Sequence, residues 1–309
     1  MVFPGQGSQS VGMLASLADE RIVRSTFAEA SQALGFDLWA LAQTGPAERL
    51  DATENAQPVM LAAGAALWRL WRQRGGGLPD VVAGHSLGEF SALVCAGALQ
   101  LIDAVGLVRF RGQVMQEAVP AGTGAMVAIL GLDDAKVDEA CRAAAEGSVV
   151  EPVNFNAPGQ VVIAGDRDAV DRAVEAAKAF GAKRALELPV SVPAHSRLMR
   201  PAAERLAVRL EELGIATPRL TYVSAVDAQT HADPEDIRRL LVRQIASPVR
   251  WRQTLATIVA HRVNRIIECG PGKVLTALNR RIERRPDLEC LSLEDGPSIE
   301  AALAASRGP

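Results

Sequence analysis

The sequence predicts an α/β protein: a large domain with a mainly parallel sheet, interrupted by a small unit of different rhythm. Three observations carry that expectation. Short apolar runs bounded by turn residues alternate with helical segments, the pattern of strands covered by helices on both faces. The middle of the chain instead orders its elements β-α-β-β-α-β. Hydrophobic residues make up 49% of the 309 residues but aromatic ones only 4%, so the core must be built from Ala, Val, Leu and Ile.

The chain opens on the apolar pair Val2-Phe3, which runs into the turn Pro4-Gly5-Gln6-Gly7-Ser8-Gln9. Helical patterns occupy 12–75, the longest over 55–74 and closed by Gly75-Gly76-Gly77. Residues 80–84 read as a buried strand, with helices over 86–96 and 101–119. Strands over 125–130, 149–156, 161–164 and 184–188 then enclose helices over 133–145 and 168–180, with a turn at Pro158-Gly159. This is the split order of a ferredoxin-like unit. Residues 124–191 are therefore expected to form a small inserted domain, and 1–123 with 192–309 a discontinuous large one. The alternation resumes with a strand over 265–268 and the turn Gly270-Pro271-Gly272.

Composition excludes several function classes. Lys+Arg 33 against Asp+Glu 36 gives a net charge of −3, so no whole-molecule basic field draws the chain to nucleic acid or anionic lipid. The first residues lack the basic and apolar regions of a signal peptide, and the most apolar helical stretch, over 59–68, is too short to span a bilayer. Cys95, Cys141, Cys269 and Cys290 lack metal-ligand or disulfide-framework spacing. A cytoplasmic chain with no metal site and no membrane partner is expected. Gly270-Pro271-Gly272-Lys273-Val274 lacks the spacing of a phosphate loop and reads as a strand-to-helix turn.

Gly84-His85-Ser86-Leu87-Gly88 matches G-x-S-x-G, a nucleophile elbow. A strand is expected to end at Gly84 and a helix to start at Ser86, which would hold the hydroxyl at a helix N-terminus, where developing negative charge is favoured. A serine needs a base. Of the four histidines, His85 is expected to point away from the site, and His231 and His261 to be solvated. His195, in Val192-Pro193-Ala194-His195, lies where the small unit returns to the large one and clefts form; base and helix-capping histidine both remain open for it on spacing alone.

Six blocks converge on a family: Phe3-Pro4-Gly5-Gln6-Gly7-Ser8-Gln9, Gly84-His85-Ser86-Leu87-Gly88-Glu89, Arg111-Gly112-Gln113-Val114-Met115-Gln116, Val153-Asn154-Phe155-Asn156-Ala157-Pro158-Gly159-Gln160, Ser191-Val192-Pro193-Ala194-His195 and Glu268-Cys269-Gly270-Pro271-Gly272. In this order they resemble the malonyl-CoA:acyl carrier protein transacylases of bacterial type II fatty acid synthesis, over essentially the whole chain. The resemblance implies a large domain of α/β-hydrolase-like fold, with Ser86 as nucleophile, His195 as base and Gln244 as the neutral group that orients it. It implies an oxyanion hole from the N–H groups of Gln6 and Leu87, and Arg111 as the guanidinium that grips the malonyl carboxylate. Asn154 and Asn156 would line the cleft and contact substrate.

Malonyl-CoA and acyl carrier protein are the implied partners, with no cofactor, and a monomer is expected. Lys183, Arg184, Arg280 and Arg281 match positions for docking the acidic carrier. Leu87 stands where methylmalonyl-selective relatives carry Gln or Met, which favours malonyl. Two departures stand out. Met1 directly precedes Val2, where relatives carry several more residues, and Ala194 replaces a larger or hydroxyl side chain, which loosens acyl selectivity. Three rivals remain: a freestanding acyltransferase of polyketide synthesis sharing every motif, a serine esterase needing an acid partner for its histidine, and a non-catalytic carrier-docking module.

Overall fold

The computed structural model describes residues 1–120, 122–190 and 192–306. Its strands are β1 (Val2–Phe3), β2 (Val81–Gly84), β3 (Gly124–Leu130), β4 (Val150–Ala157), β5 (Gln160–Asp166), β6 (Arg184–Glu187), β7 (Thr221–Val223), β8 (Thr230–His231), β9 (Arg265–Glu268) and β10 (Glu289–Ser292). They form two sheets. A six-stranded sheet runs β10-β9-β1-β2-β7-β8, parallel throughout except for the β7–β8 pair. A four-stranded antiparallel sheet runs β4-β5-β3-β6. The first takes strands from both sides of the segment that builds the second. Ser191, the last residue of the expected insert, lies outside the described residues.

The helices explain why the larger sheet is buried on both faces. Val81–Gly84 is buried at every position, which fits an apolar run with no polar alternation. The longest helix, Thr53–Gln73, buries Ala56, Val59, Ala63, Leu67 and Leu70 at i, i+3 and i+4 spacing. Its many alanines let it pack closely against Leu101–Glu117. The four-stranded sheet is covered by Asp134–Ala144 and Arg167–Ala179, whose Val137, Ala140, Val170 and Ala173 share a separate apolar cluster.

Three short strands escaped sequence reasoning: β7, β8 and β10. Each holds two to four residues, too few for a period of two to register. The helix expected from Ser86 begins at Gly88, because Ser86 itself occupies the left-handed region at φ 51°.

Two joints position the cleft. Phe155 N–H donates to the Val249 carbonyl at 2.9 Å and Val249 N–H to the Val153 carbonyl at 2.8 Å, stitching β4 to the larger unit beside Asn154 and Asn156. On the other side, β1 pairs with β2 so that Phe3 lies opposite Gly84. The loop after β1 thus runs beside the elbow after β2.

Candidate active site

The elbow is a problem of space before it is one of chemistry. A Cβ on Gly84 would lie 1.9 Å from the Gly88 carbonyl carbon, and one on Gly88 would lie 2.0 Å from the Phe3 carbonyl oxygen. Only glycine lets the strand, the turn and the first loop approach this closely. Between them Ser86 is held at φ 51°, and His195, across the cleft, at φ 68°. Left-handed backbone costs a non-glycine residue about 1 kcal/mol or more and persists where the surroundings over-determine it. Both residues that meet in the cleft carry this strain.

Ser86 Oγ and His195 Nε2 are 2.7 Å apart. His195 Nδ1 donates to the main-chain carbonyl of Gln244 at 2.8 Å, which leaves Nε2 free to accept the serine proton. The ring is 3% exposed. Burial, and then the Arg111 cation, lower its pKa from 6.5 to about 3. At neutral pH it is an uncharged base. Gln244 thus orients His195 through its backbone, and its side chain does something else: Oε1 accepts from Arg111 Nη2 at 2.9 Å.

Arg111, on the helix Leu101–Glu117, is 1% exposed. Its Nη1 donates to Gln57 Oε1 at 2.8 Å and its Nη2 reaches Ser86 Oγ at 3.4 Å. Its Nε has no partner. Among the described residues no carboxylate forms an ion pair with it. Burial pulls its pKa down to about 10, with the Glu89 charge opposing that shift. A buried guanidinium satisfied only by amide oxygens, beside a serine hydroxyl, is a site prepared for an anion that the protein does not supply.

The main-chain N–H groups of Gln6 and Leu87 donate no hydrogen bond among the described residues. Both residues line a cavity of about 100 Å³ with Ser86, Arg111 and His195. It opens beside a channel of about 410 Å³ bounded by the loop 4–9, His85, Asn154, Asn156 and Leu278.

The acyl transferase domain matches residues 1–292. The malonyl CoA-acyl carrier protein transacylase of Salmonella typhimurium is 56% identical over 98% of this chain and 97% of its own length. Its counterpart in Bacillus subtilis is 43% identical over 98% and 95%. An acyl carrier protein S-malonyltransferase from Vibrio cholerae superposes with a TM-score of 0.94 at 55% identity, covering 97% of this chain and 98% of that one. A malonyl-transacylase in complex with its type II PKS acyl-carrier protein reaches 0.97 at 53% identity, covering 99% and 98%. The chain belongs to the malonyl CoA-acyl carrier protein transacylases.

Within this transacylase fold the structure corrects two sequence expectations about histidines. His85 does not point away: its Nε2 meets Asn156 Oδ1 at 2.8 Å, and its residue lines both cavities. The left-handed turn at Ser86 sends its neighbour into the cleft as well. His231 is partly buried rather than free in solvent: its Nε2 lies 3.0 Å from Asp227 Oδ2, with 18% of the side chain exposed. The antiparallel pairing of β8 with β7 folds it back over its own loop.

Asn154 is 8% exposed, and its Oδ1 is buried without a partner at the wall between cavity and channel. The basic residues diverge. Lys183 and Arg184 are exposed at the start of β6. Arg281 reaches the small unit through Gln160 Oε1 at 3.0 Å and the Pro158 carbonyl at 3.1 Å, so it stands on the channel rim. Arg280, one position earlier and about 100° around the helix, instead donates to the Cys290 carbonyl at 2.7 Å.

Sequence reasoning missed Gln57, Glu89 and Tyr222. Glu89 had a signal, a carboxylate one residue past the elbow in the first turn of an apolar helix. Gln57 and Tyr222 had none, because their role exists only where distant elements meet.

Proposed function

We infer that the protein transfers malonyl from malonyl-CoA to the phosphopantetheine thiol of acyl carrier protein, supplying fatty acid elongation in the cytoplasm. The observation that carries this reading is Arg111, a buried guanidinium with no carboxylate partner among the described residues, whose Nη2 is 3.4 Å from Ser86 Oγ. Malonyl differs from acetyl by a free carboxylate, and two parallel N–H···O bonds to it would satisfy the cation. The small unit reads as ferredoxin-like, supported by its strand order β6-β3-β5-β4. The large unit reads as α/β-hydrolase-like, supported by its parallel sheet and elbow.

Ser86 Oγ adds to the thioester carbon as its proton passes to His195 Nε2. The N–H groups of Gln6 and Leu87 hold the oxyanion; a donor of this kind is worth ~2.7–4 kcal/mol. The C–S bond breaks, and the imidazolium returns the proton to the leaving CoA sulfur. The carrier's thiol then gives its proton to His195, attacks the malonyl-serine ester, and Ser86 leaves with the proton. No step calls for a metal or a redox group. Asn154 Oδ1 is a free acceptor for an amide N–H of the pantetheine arm in the channel. Lys183, Arg184 and Arg281 would form the carrier-facing rim, with Arg280, turned toward the Cys290 carbonyl, contributing less.

The esterase reading finds no support in the histidine's partner, a main-chain carbonyl rather than a carboxylate. Service to a polyketide carrier is favoured by one observation, the 53% identity to a transacylase solved with such a carrier; assaying the host's own carrier proteins as acceptors separates the two. The reaction itself is tested by mass spectrometry of the protein after proteolytic digestion. Malonyl-CoA should add one malonyl group to the peptide holding Ser86, and Ser86→Ala should remove it. Labelling that survives Ser86→Ala overturns the mechanism.

A further inference from the structure

Behind the serine lies a buried polar layer that the transfer chemistry above does not use. Its pivot is the Gln244 side chain, whose two ends are chemically opposite: Oε1 only accepts, Nε2 only donates. Oε1 faces Arg111 Nη2 at 2.9 Å. Nε2 donates to the Ser86 carbonyl at 2.9 Å and to Glu89 Oε2. Turning the amide over would set N–H groups against a guanidinium that has only donors. Partners therefore decide which way the amide points.

Glu89 adds a side-chain acceptor to the Ser86 carbonyl on the Nε2 side of this amide. It is 1% exposed, and its other oxygen, Oε1, already accepts from Tyr222 O–H at 2.5 Å and from the Ala225 N–H at 3.0 Å. That leaves Oε2, an acceptor in the ionised form, aimed at Gln244. Burial pushes this carboxyl's pKa up, while the bonds from Tyr222 and Gln244 favour the charged form.

We propose that Glu89 is a positioning residue for carboxylate selection: it locks the Gln244 amide with Oε1 toward Arg111 and so fixes the guanidinium in the pose that receives the acyl group's free carboxylate. The proposal rests on the reading of Arg111 given above. It separates two jobs of one residue. The side chain of Gln244 serves Arg111, while its main-chain carbonyl serves His195 and is held by the helix end and by the His195 N–H bond to Ile245. Disturbing Glu89 should therefore damage acyl choice and spare the serine–histidine pair.

Glu89→Gln is the informative variant, because Tyr222 and Ala225 both donate to one terminal atom. They keep the new amide's oxygen on their side, and its NH2 then opposes Gln244 Nε2 and displaces that amide from its place against Arg111. The test measures binding of malonyl-CoA and acetyl-CoA in a Ser86→Ala background, where neither turns over. Glu89→Gln should weaken malonyl-CoA roughly tenfold and leave acetyl-CoA within twofold. In the Ser86 protein it should raise KM for malonyl-CoA without lowering the rate of acetyl transfer.

Equal loss on both ligands would mean a merely structural role and overturn the proposal. Tighter malonyl-CoA binding would overturn it too, since that is what removing a negative charge near Arg111 does if charge alone matters. If Glu89→Gln does not fold, Tyr222→Phe decides on the same criterion, with a smaller malonyl-selective loss expected. Arg111→Ala is the control. Failure of that variant to discriminate would sink the reading of Arg111 itself, whereas a discriminating Arg111→Ala beside a non-discriminating Glu89→Gln removes only the role of Glu89.

Discussion

On one side of Ser86 stands a wall of buried polar side chains from the larger unit: Arg111, Gln57, Gln244 and Glu89, none more than 1% exposed. On the other side stands the wall from β4 and its neighbours, with Asn154 and Asn156 each 8% exposed, and beyond it the exposed Lys183, Arg184 and Arg281. Among the described residues the first wall is closed apart from the Arg111 Nε, its other polar atoms spoken for from within, while the second keeps an orphan acceptor and exposed cations. The difference teaches where each kind of selectivity resides. On the proposed function, a small acyl group would be chosen in a dry site, where one unmatched charge is expensive. The same proposal has the protein partner met at a wet rim, where charges steer and are screened.

Breaking the closed wall should have the largest effect. Arg111→Ala is expected to cut kcat/KM for malonyl transfer by roughly 10³- to 10⁴-fold while acetyl transfer changes little, because only malonyl loses a paired carboxylate. Equal losses, measured with both acyl-CoA substrates, would make Arg111 a packing residue and erase the contrast between the walls.

The next effect is on pH dependence. An ordinary imidazole base, with a pKa near 6.5, would lose about 16-fold in rate between pH 6.5 and 5. His195, with its pKa lowered to about 3 by burial and by Arg111, should instead keep kcat/KM for serine acylation nearly flat over that range. Arg111→Ala removes one of the two causes and should move the acid limb upward. The same shift has a stability consequence of fixed sign. Below pH 6.5 the unfolded imidazole takes up a proton that the folded one refuses, so this histidine makes stability fall as pH drops from 6.5 towards 3. Denaturant titrations across that window check it, and an activity limb centred at 6.5 would contradict the buried-base assignment.

The smallest effect belongs to the open wall. Arg281→Ala should raise KM for the carrier protein a few-fold at low salt and less at high salt, leaving acylation by malonyl-CoA untouched. Carrier kinetics at two ionic strengths measure it. Because Arg280 turns toward Cys290, its replacement should matter less than that of Arg281; the reverse order would relocate the docking rim.

Much of this molecule is legible before folding. Gly84-His85-Ser86-Leu87-Gly88 announces the elbow because the chemistry is local: a strand end, two glycines that admit close backbone contact, and a serine between them. The alternation of apolar runs with helices likewise announces a parallel sheet, since strands buried on both faces must be apolar throughout. Short strands such as β7 and β10 were lost because two to four residues cannot display a period.

The sequence by itself determined the elbow with its candidate nucleophile, the longer elements in their order, and the split rhythm of the middle segment, all of which follow from local pattern and residue chemistry. Tertiary structure alone decided their partners. It assigned the orientation of His195 to the backbone of Gln244, turned that residue's side chain to Arg111, and brought His85 into the cleft. It also set Glu89 and Tyr222, 133 positions apart in sequence, within 2.5 Å of each other. A hydrogen bond depends on the direction of a group in space, and for groups so far apart along the chain that direction exists only once the sheets have packed.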